Sequence, residues 1–221
     1  MTNLNISSFR YFGFDESPIG GNSVGLVLSC TETRDERLVQ QHSFLNKAAD
    51  YLQLIRKGHT ACAPSLQDMY RNGLDHYSWI RSNQGRSFCR QRAAHASIAE
   101  LLIASRVDPQ EMVVYIDEFF PPERTQELLK DYLQRHYQFD LPRANIHVIA
   151  DADRTVPLVN FADILAYRIA ANFRAQQNGF SSPGKKIPAR DLFDEPLVSK
   201  DSRVSTLPED GRVVLAELLS A

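Results

Sequence analysis

FRYFGFDESPIGGNSVGLVLSC, residues 9–30, alternates like a β-strand, turns, and alternates again. Phe9, Tyr11 and Gly13 interleave with Arg10, Phe12 and Phe14 at the period of two that a pleated strand imposes. Pro18, Gly20, Gly21 and Asn22 supply turn chemistry before Val24 to Leu28 resume the strand. The stretch therefore reads as a hairpin whose first strand ends in Asp15 and Glu16 at a sheet edge. Two acids on a rigid strand end, followed by a hairpin and not by a glycine loop that cradles phosphate, suit a cation better than an anion. Asp and Ser also open ordinary turns, so Asp15 has a bland reading as well.

Outward from the hairpin, residues 35–57 place Leu38, Leu45, Ala48, Ala49, Leu52 and Ile55 at helical steps, which predicts one long helix. HYSWI at 76–80 fits a third strand. The segment from Arg86 to Val107 is apolar nearly all round, so it predicts a buried helix, and Glu100 sits within it. A buried carboxylate needs a cation, a donor or a proton; the alternative is that Glu100 reaches solvent or an arginine. MVVYID at 112–117 is an apolar run that ends in acid, as a central, doubly covered strand does. If the strands of Asp15 and Asp117 are parallel neighbours, two carboxylates stand side by side, and like charges so held call for a divalent cation or a shared proton.

A helix is expected from Pro121 or Pro122 to Tyr137 and a strand over 145–150. A late helix begins at Pro157, with Asp163 in the stripe formed by Val159, Ala166, Tyr167 and Ala170. Beyond residue 176 the pattern decays into a loop-rich tail with a terminal helix expected over 208–219.

Length and composition agree with a globular chain. At 221 residues with 43% hydrophobic content, a chain buries roughly 70% of its unfolded surface without disulfides or structural metal. Cys30, Cys62 and Cys89 are odd in number and too dispersed for a paired zinc motif, and no signal peptide or long apolar run is present. These features lead us to expect a cytoplasmic protein with no membrane association. The net charge of −2 excludes a wholly basic nucleic-acid-gripping surface but not a local patch. Arg81, Arg86, Arg90 and Arg92 gather before and within the start of the buried helix, where cations oppose the helix dipole. Contact with substrate phosphates is one reason for them, and Tyr77 and Trp79 add stacking side chains upstream.

The order of these elements resembles that of the ribonuclease H superfamily: strand ending in Asp, hairpin, helix with Glu, strand ending in Asp, late helix with Asp. More narrowly, FDES at 14–17, YID at 115–117 and NFADILAYRIA at 160–170 resemble the domain of unknown function 3800 family. The resemblance covers about residues 9–176 and implies an α/β fold: a ribonuclease-H-like mixed sheet, antiparallel hairpin plus parallel strands, with helices on both faces. It implies a domain over 1–176 with a helical insertion at about 35–82, and an appendage over 177–221 packed on the same domain. Pro18 stands where the family usually has Gly. Carried over by position, the resemblance implies Asp15, Glu100, Asp117 and Asp163 as catalytic carboxylates holding Mg²⁺ or Mn²⁺; Glu16, beside Asp15, and Asp153 are additional candidates from the sequence itself. The function implied is a divalent-metal-dependent nuclease-like phosphodiester hydrolase acting on RNA or DNA. Two ions about 3.5–4 Å apart activate a water and steady the leaving oxygen in such chemistry.

Two other readings stand beside it. The fold can serve as a non-catalytic nucleic-acid or protein binding module. IHVIADADRTV, residues 146–156, also fits the Asp-x-Asp-x-Thr pattern of haloacid-dehalogenase-like phosphatases, with Asp151 as nucleophile and Asp153 as acid-base.

Overall fold

The computed structural model describes residues 8–19, 25–42, 44–59, 74–82, 90–118, 121–177 and 212–213. The hairpin forms as expected, with β1 (Arg10–Ile19) antiparallel to β2 (Gly25–Thr33), and β3 (Asp75–Ser82) adds to the far side of β2. On the other side of β1 lie β4 (Met112–Asp117) and then β5 (Ile146–Ile149), both parallel. With the short β6 (Arg212–Val213) on β3, the sheet order is β5-β4-β1-β2-β3-β6. This is the expected mixed sheet.

Strand alternation sorts the side chains onto two faces. Phe12, Phe14, Leu26, Leu28, Cys30, Met112, Val114 and Ile116 bury one face under α2 (Arg90–Ser105) and α3 (Pro122–Tyr137). Burying a side chain such as Phe12 or Phe14, both fully covered, contributes about 1.5–3 kcal/mol each. The opposite face carries Tyr11, Val113 and Tyr115 and is covered by α1 (Ala48–Arg56), α4 (Ala152–Thr155) and α5 (Pro157–Gln177). Helices therefore flank the sheet on both sides. The all-round apolar reading of α2 holds: residues 94–100 are all buried.

Helix α5 lies close against β1 because Gly13 leaves room. A Cβ at Gly13 would come within 2.8 Å of the Leu158 carbonyl and side chain. Thr31 Oγ1 donates to the Leu158 carbonyl at 2.6 Å and holds the same contact from β2.

Several expectations are corrected. Asp15 neither ends its strand nor opens the turn, because β1 runs on to Ile19 and Asp15 pairs with Ser29 inside the ladder. Pro18 likewise belongs to β1; the β4 pairing stops at Phe14, so a residue without an N–H is tolerated there. The single helix over 35–57 is instead a 3-10 turn (Glu36–Val39), an irregular strap described at 40–42 and 44–47, and α1. The strap's amides are spent elsewhere: His42 N–H donates to the Thr155 carbonyl and Leu45 N–H to that of Arg154, each at 2.7 Å. Tertiary hydrogen bonds to α4 thus override helical periodicity. The last residues of the expected 35–82 insertion are β3, an integral strand of the sheet. Of the helix expected over 208–219, only Arg212 and Val213 are described, and they pair as β6.

Candidate metal centre

The register of β1 on β4 brings the first two acids together. Phe14 pairs with Ile116, so Asp15 and Asp117 follow side by side, both directed to the α5 face by alternation. Asp117 also pairs across β5 with Ile149, after which the chain turns through Asp151 in a left-handed conformation (φ 51°) into α4. That turn aims the Ala152 N–H at Asp117 Oδ1, at 2.7 Å. It also delivers Asp153 beside Asp15 and Asp117, and one ligand atom from each of the three lies within 4.8 Å of the others.

Asp153 is almost fully buried. Its Oδ2 is 2.9 Å from Lys47 Nζ on the strap, and its Oδ1 is buried with no hydrogen-bond partner among the described residues. A buried, unsatisfied carboxylate oxygen is costly, and a hard cation satisfies it.

Asp163 approaches from α5. Its Oδ2 accepts the N–H of Ala48, the first residue of α1, at 2.7 Å. It is not in the three-acid group, yet it is the first of the carboxylates whose charge bears on Asp15.

Protonation behaviour reflects this crowding. Burial, then Asp163, Asp117 and Asp153, pushes the Asp15 carboxyl well above the usual range. Asp117 is pushed up to about 6, first by burial and then by Asp153, against the pull of the Ala152 and Asp153 amides. Asp163 is also raised to about 6, by burial first, with the Ala48 N–H opposing and Asp153 adding to the rise. Lys47 is the cation that eases Asp15, Asp117 and Asp163 alike. The set fits a divalent cation: hard oxygen donors, excess negative charge and an unsatisfied buried oxygen.

The remaining candidates fall elsewhere. Glu100 is buried on α2, across the sheet from this cluster, where Tyr137 Oη donates to its Oε1 at 3.5 Å. The structure does not bring it to the three acids. Glu16 follows Asp15 on β1 and alternates toward the α2 face. Arg81 falls in β3 and Arg90 and Arg92 in the first turn of α2, while Arg86 lies outside the described residues. The phosphatase alternative loses its geometry: Asp151 is exposed, Asp153 is buried among other carboxylates, and the sheet contains an antiparallel meander. His147 stacks on Tyr115 at 4.9 Å within β5, as a strand residue should.

Asp153 had a visible signal, the Asp-x-Asp-x-Thr run after an apolar strand, but no local pattern tells which of its acids turns inward. Lys47 had none, since its approach depends on the strap replacing a helix.

No protein-family model matches the chain, and no curated protein matches it in sequence. Among solved structures, a chain of the PCNA:RNase HII complex from Archaeoglobus fulgidus superposes with a TM-score of 0.46 at 18% identity, over 82% of this chain and 84% of that one. The ribonuclease H2 from Pyrococcus horikoshii OT3 gives a TM-score of 0.41 at 19% identity, over 82% and 83%. At this identity the likeness concerns the arrangement of strands and helices and assigns no activity.

Proposed function

We propose that the protein is a divalent-metal-dependent phosphodiester hydrolase acting on nucleic acid, with Asp15, Asp117 and Asp153 holding the ion and Asp163 beside them. The observation that carries this reading is the three-acid group itself, assembled from β1, β4 and α4, with an unsatisfied Asp153 oxygen inside it. Mg²⁺ or Mn²⁺ is the matching ion, because carboxylate oxygen selects hard cations. A bound divalent ion supplies Lewis acidity and a more acidic water at the scissile phosphodiester. The chain's part is to fix the acids: the Ala152 N–H orients Asp117, and the Ala48 N–H orients Asp163.

The motifs FDES at 14–17, YID at 115–117 and NFADILAYRIA at 160–170 support placement with the domain of unknown function 3800 family. The solved ribonuclease HII and H2 structures, similar in arrangement, are in keeping with a nucleic-acid substrate. Arg81 at the end of β3 and Arg90 and Arg92 in the first turn of α2 remain our proposed phosphate contacts, together with Arg86. Among the described residues no helix is long and apolar enough to cross a membrane, and we place the protein in the cytoplasm on its cysteine usage.

The test is direct. Single-stranded RNA, RNA–DNA hybrid, single-stranded DNA and duplex DNA are incubated with the protein and Mg²⁺, Mn²⁺ or chelator. Ion-dependent cleavage of any polymer supports the reading. Binding without cleavage points to a non-catalytic module, and turnover of a small phosphomonoester alone points to a phosphatase.

A further inference from the structure

The strap, described at residues 40–42 and 44–47, does more than connect. Its backbone is pinned on both sides of Lys47: Asn160 Nδ2 donates to the Asn46 carbonyl at 2.9 Å, and Ala48 N–H donates to Asp163 at 2.7 Å. Lys47 N–H itself donates to Asp50 Oδ2 at 3.1 Å. This pinning suspends the Lys47 ammonium over the carboxylates, 2.9 Å from Asp153 Oδ2. The next cation along, Arg154, is committed to Asp50 at 2.6 and 3.2 Å and lies over the Phe44 ring. The Lys47 side chain is 33% exposed, whereas Asp153 is 4%. A lysine with a fixed backbone and a route to solvent can swing its head outward without disturbing the strap.

We propose that Lys47 is the internal counter-ion of the ion-free site and that an entering divalent cation displaces it from Asp153. The proposal rests on the metal reading above. A +2 ion within reach of Asp153 and an ammonium on the same carboxylate repel one another at short range in a largely buried setting. Asp153 Oδ1 stands unsatisfied while Oδ2 is taken by Lys47, so full engagement of this carboxylate by an ion requires the ammonium to leave. Lys47 thereby lowers the cost of the crowded acids when no ion is present and sets a threshold for ion loading.

The experiment is a Mn²⁺ titration of the full chain by calorimetry, with free Mn²⁺ followed by electron paramagnetic resonance. Wild type is compared with Lys47→Met, which keeps the stem and removes the charge, and with Lys47→Arg, which keeps the charge. The expected result is Mn²⁺ binding about tenfold tighter in Lys47→Met, since one competing unit charge is gone, and no such gain in Lys47→Arg. Equal or weaker binding by Lys47→Met overturns the proposal and makes Lys47 a positioning residue for Asp153. Absence of Mn²⁺ binding in both wild type and Lys47→Met overturns it together with the metal reading. Should Lys47→Met fail to fold, the lysine side-chain resonances of the wild type decide during a Mg²⁺ titration. A Lys47 signal that moves with ion occupancy supports displacement, and one that stays fixed overturns it.

Discussion

Asp15 and Asp117 are direct neighbours across two parallel strands, one step past the last paired residues, Phe14 and Ile116, with their carboxylates within 4.8 Å. Because the strand frame fixes this distance, loss of one charge should weaken ion binding without a packing defect. Asp117→Asn keeps an oxygen to accept the Ala152 N–H. We expect it to lower metal-dependent phosphodiesterase activity by about 100-fold or more, as removal of a metal ligand does, with an unchanged circular dichroism spectrum. Retained activity, or cleavage indifferent to chelator, would exclude the carboxylate centre.

Stability of the ion-free protein should fall as pH rises from about 4 to 6. The folded pKa values of Asp117 and Asp163, about 6, lie above the ordinary 3.8. Between those values the folded state holds more protons than the unfolded chain, so the slope of stability against pH is negative. Asp163 alone accounts for roughly 3 kcal/mol at the limit, and coupled groups do not add. Thermal melts in chelator across this range check the sign; Mn²⁺ should raise Tm at pH 7 and have less effect near pH 4.5, where Asp117 and Asp163 are protonated.

Asp163→Asn should stabilise the ion-free protein and blunt the rise in Tm with Mn²⁺. The amide oxygen can still accept the Ala48 N–H while the repulsion on Asp15 disappears. Asp163→Ala loses that cap as well, at about 1 kcal/mol, so it should melt below the Asn variant. An Asn variant that loses stability and keeps its full ion response would make Asp163 a purely structural acid.

Gly13→Ala should cost about 2 kcal/mol or more, because overpacking against backbone cannot be relieved by a rotamer change. The new methyl would meet the Leu158 carbonyl and Cγ at 2.8 Å, forcing α5 off β1. Urea denaturation measures the loss. Ion affinity should fall with it, since Pro157–Gln177 carries Asp163 and follows Asp153.

Much of the fold was written in period and punctuation. Alternation from Phe9 to Phe14, the apolar run ending at Asp117 and the prolines at 122 and 157 mark β1, β4, α3 and α5, because those signals are local and the structure spends them locally. The strap departs from its local pattern for the opposite reason. Leu38, Leu45 and Leu52 keep helical spacing, yet the amides of His42 and Leu45 find partners in α4, a hundred residues away in sequence.

The order of strands and helices, through its resemblance to the ribonuclease H superfamily, led to the mixed sheet, and the apolar strands carrying Asp15 and Asp117 led to two neighbouring acids if those strands lie parallel, as they do. Only the folded molecule could choose Asp153 over Glu100 as their companion and set Lys47 against it. Glu100 reads as an acid on a buried helix and Asp153 as part of an Asp-x-Asp-x-Thr run, but α2 packs on one face of the sheet and α4 on the other. Which face a helix covers is decided by long-range packing and the handedness of its connections. A lysine off a helical stripe likewise reads as solvated until the strap's hydrogen bonds turn it inward to Asp153.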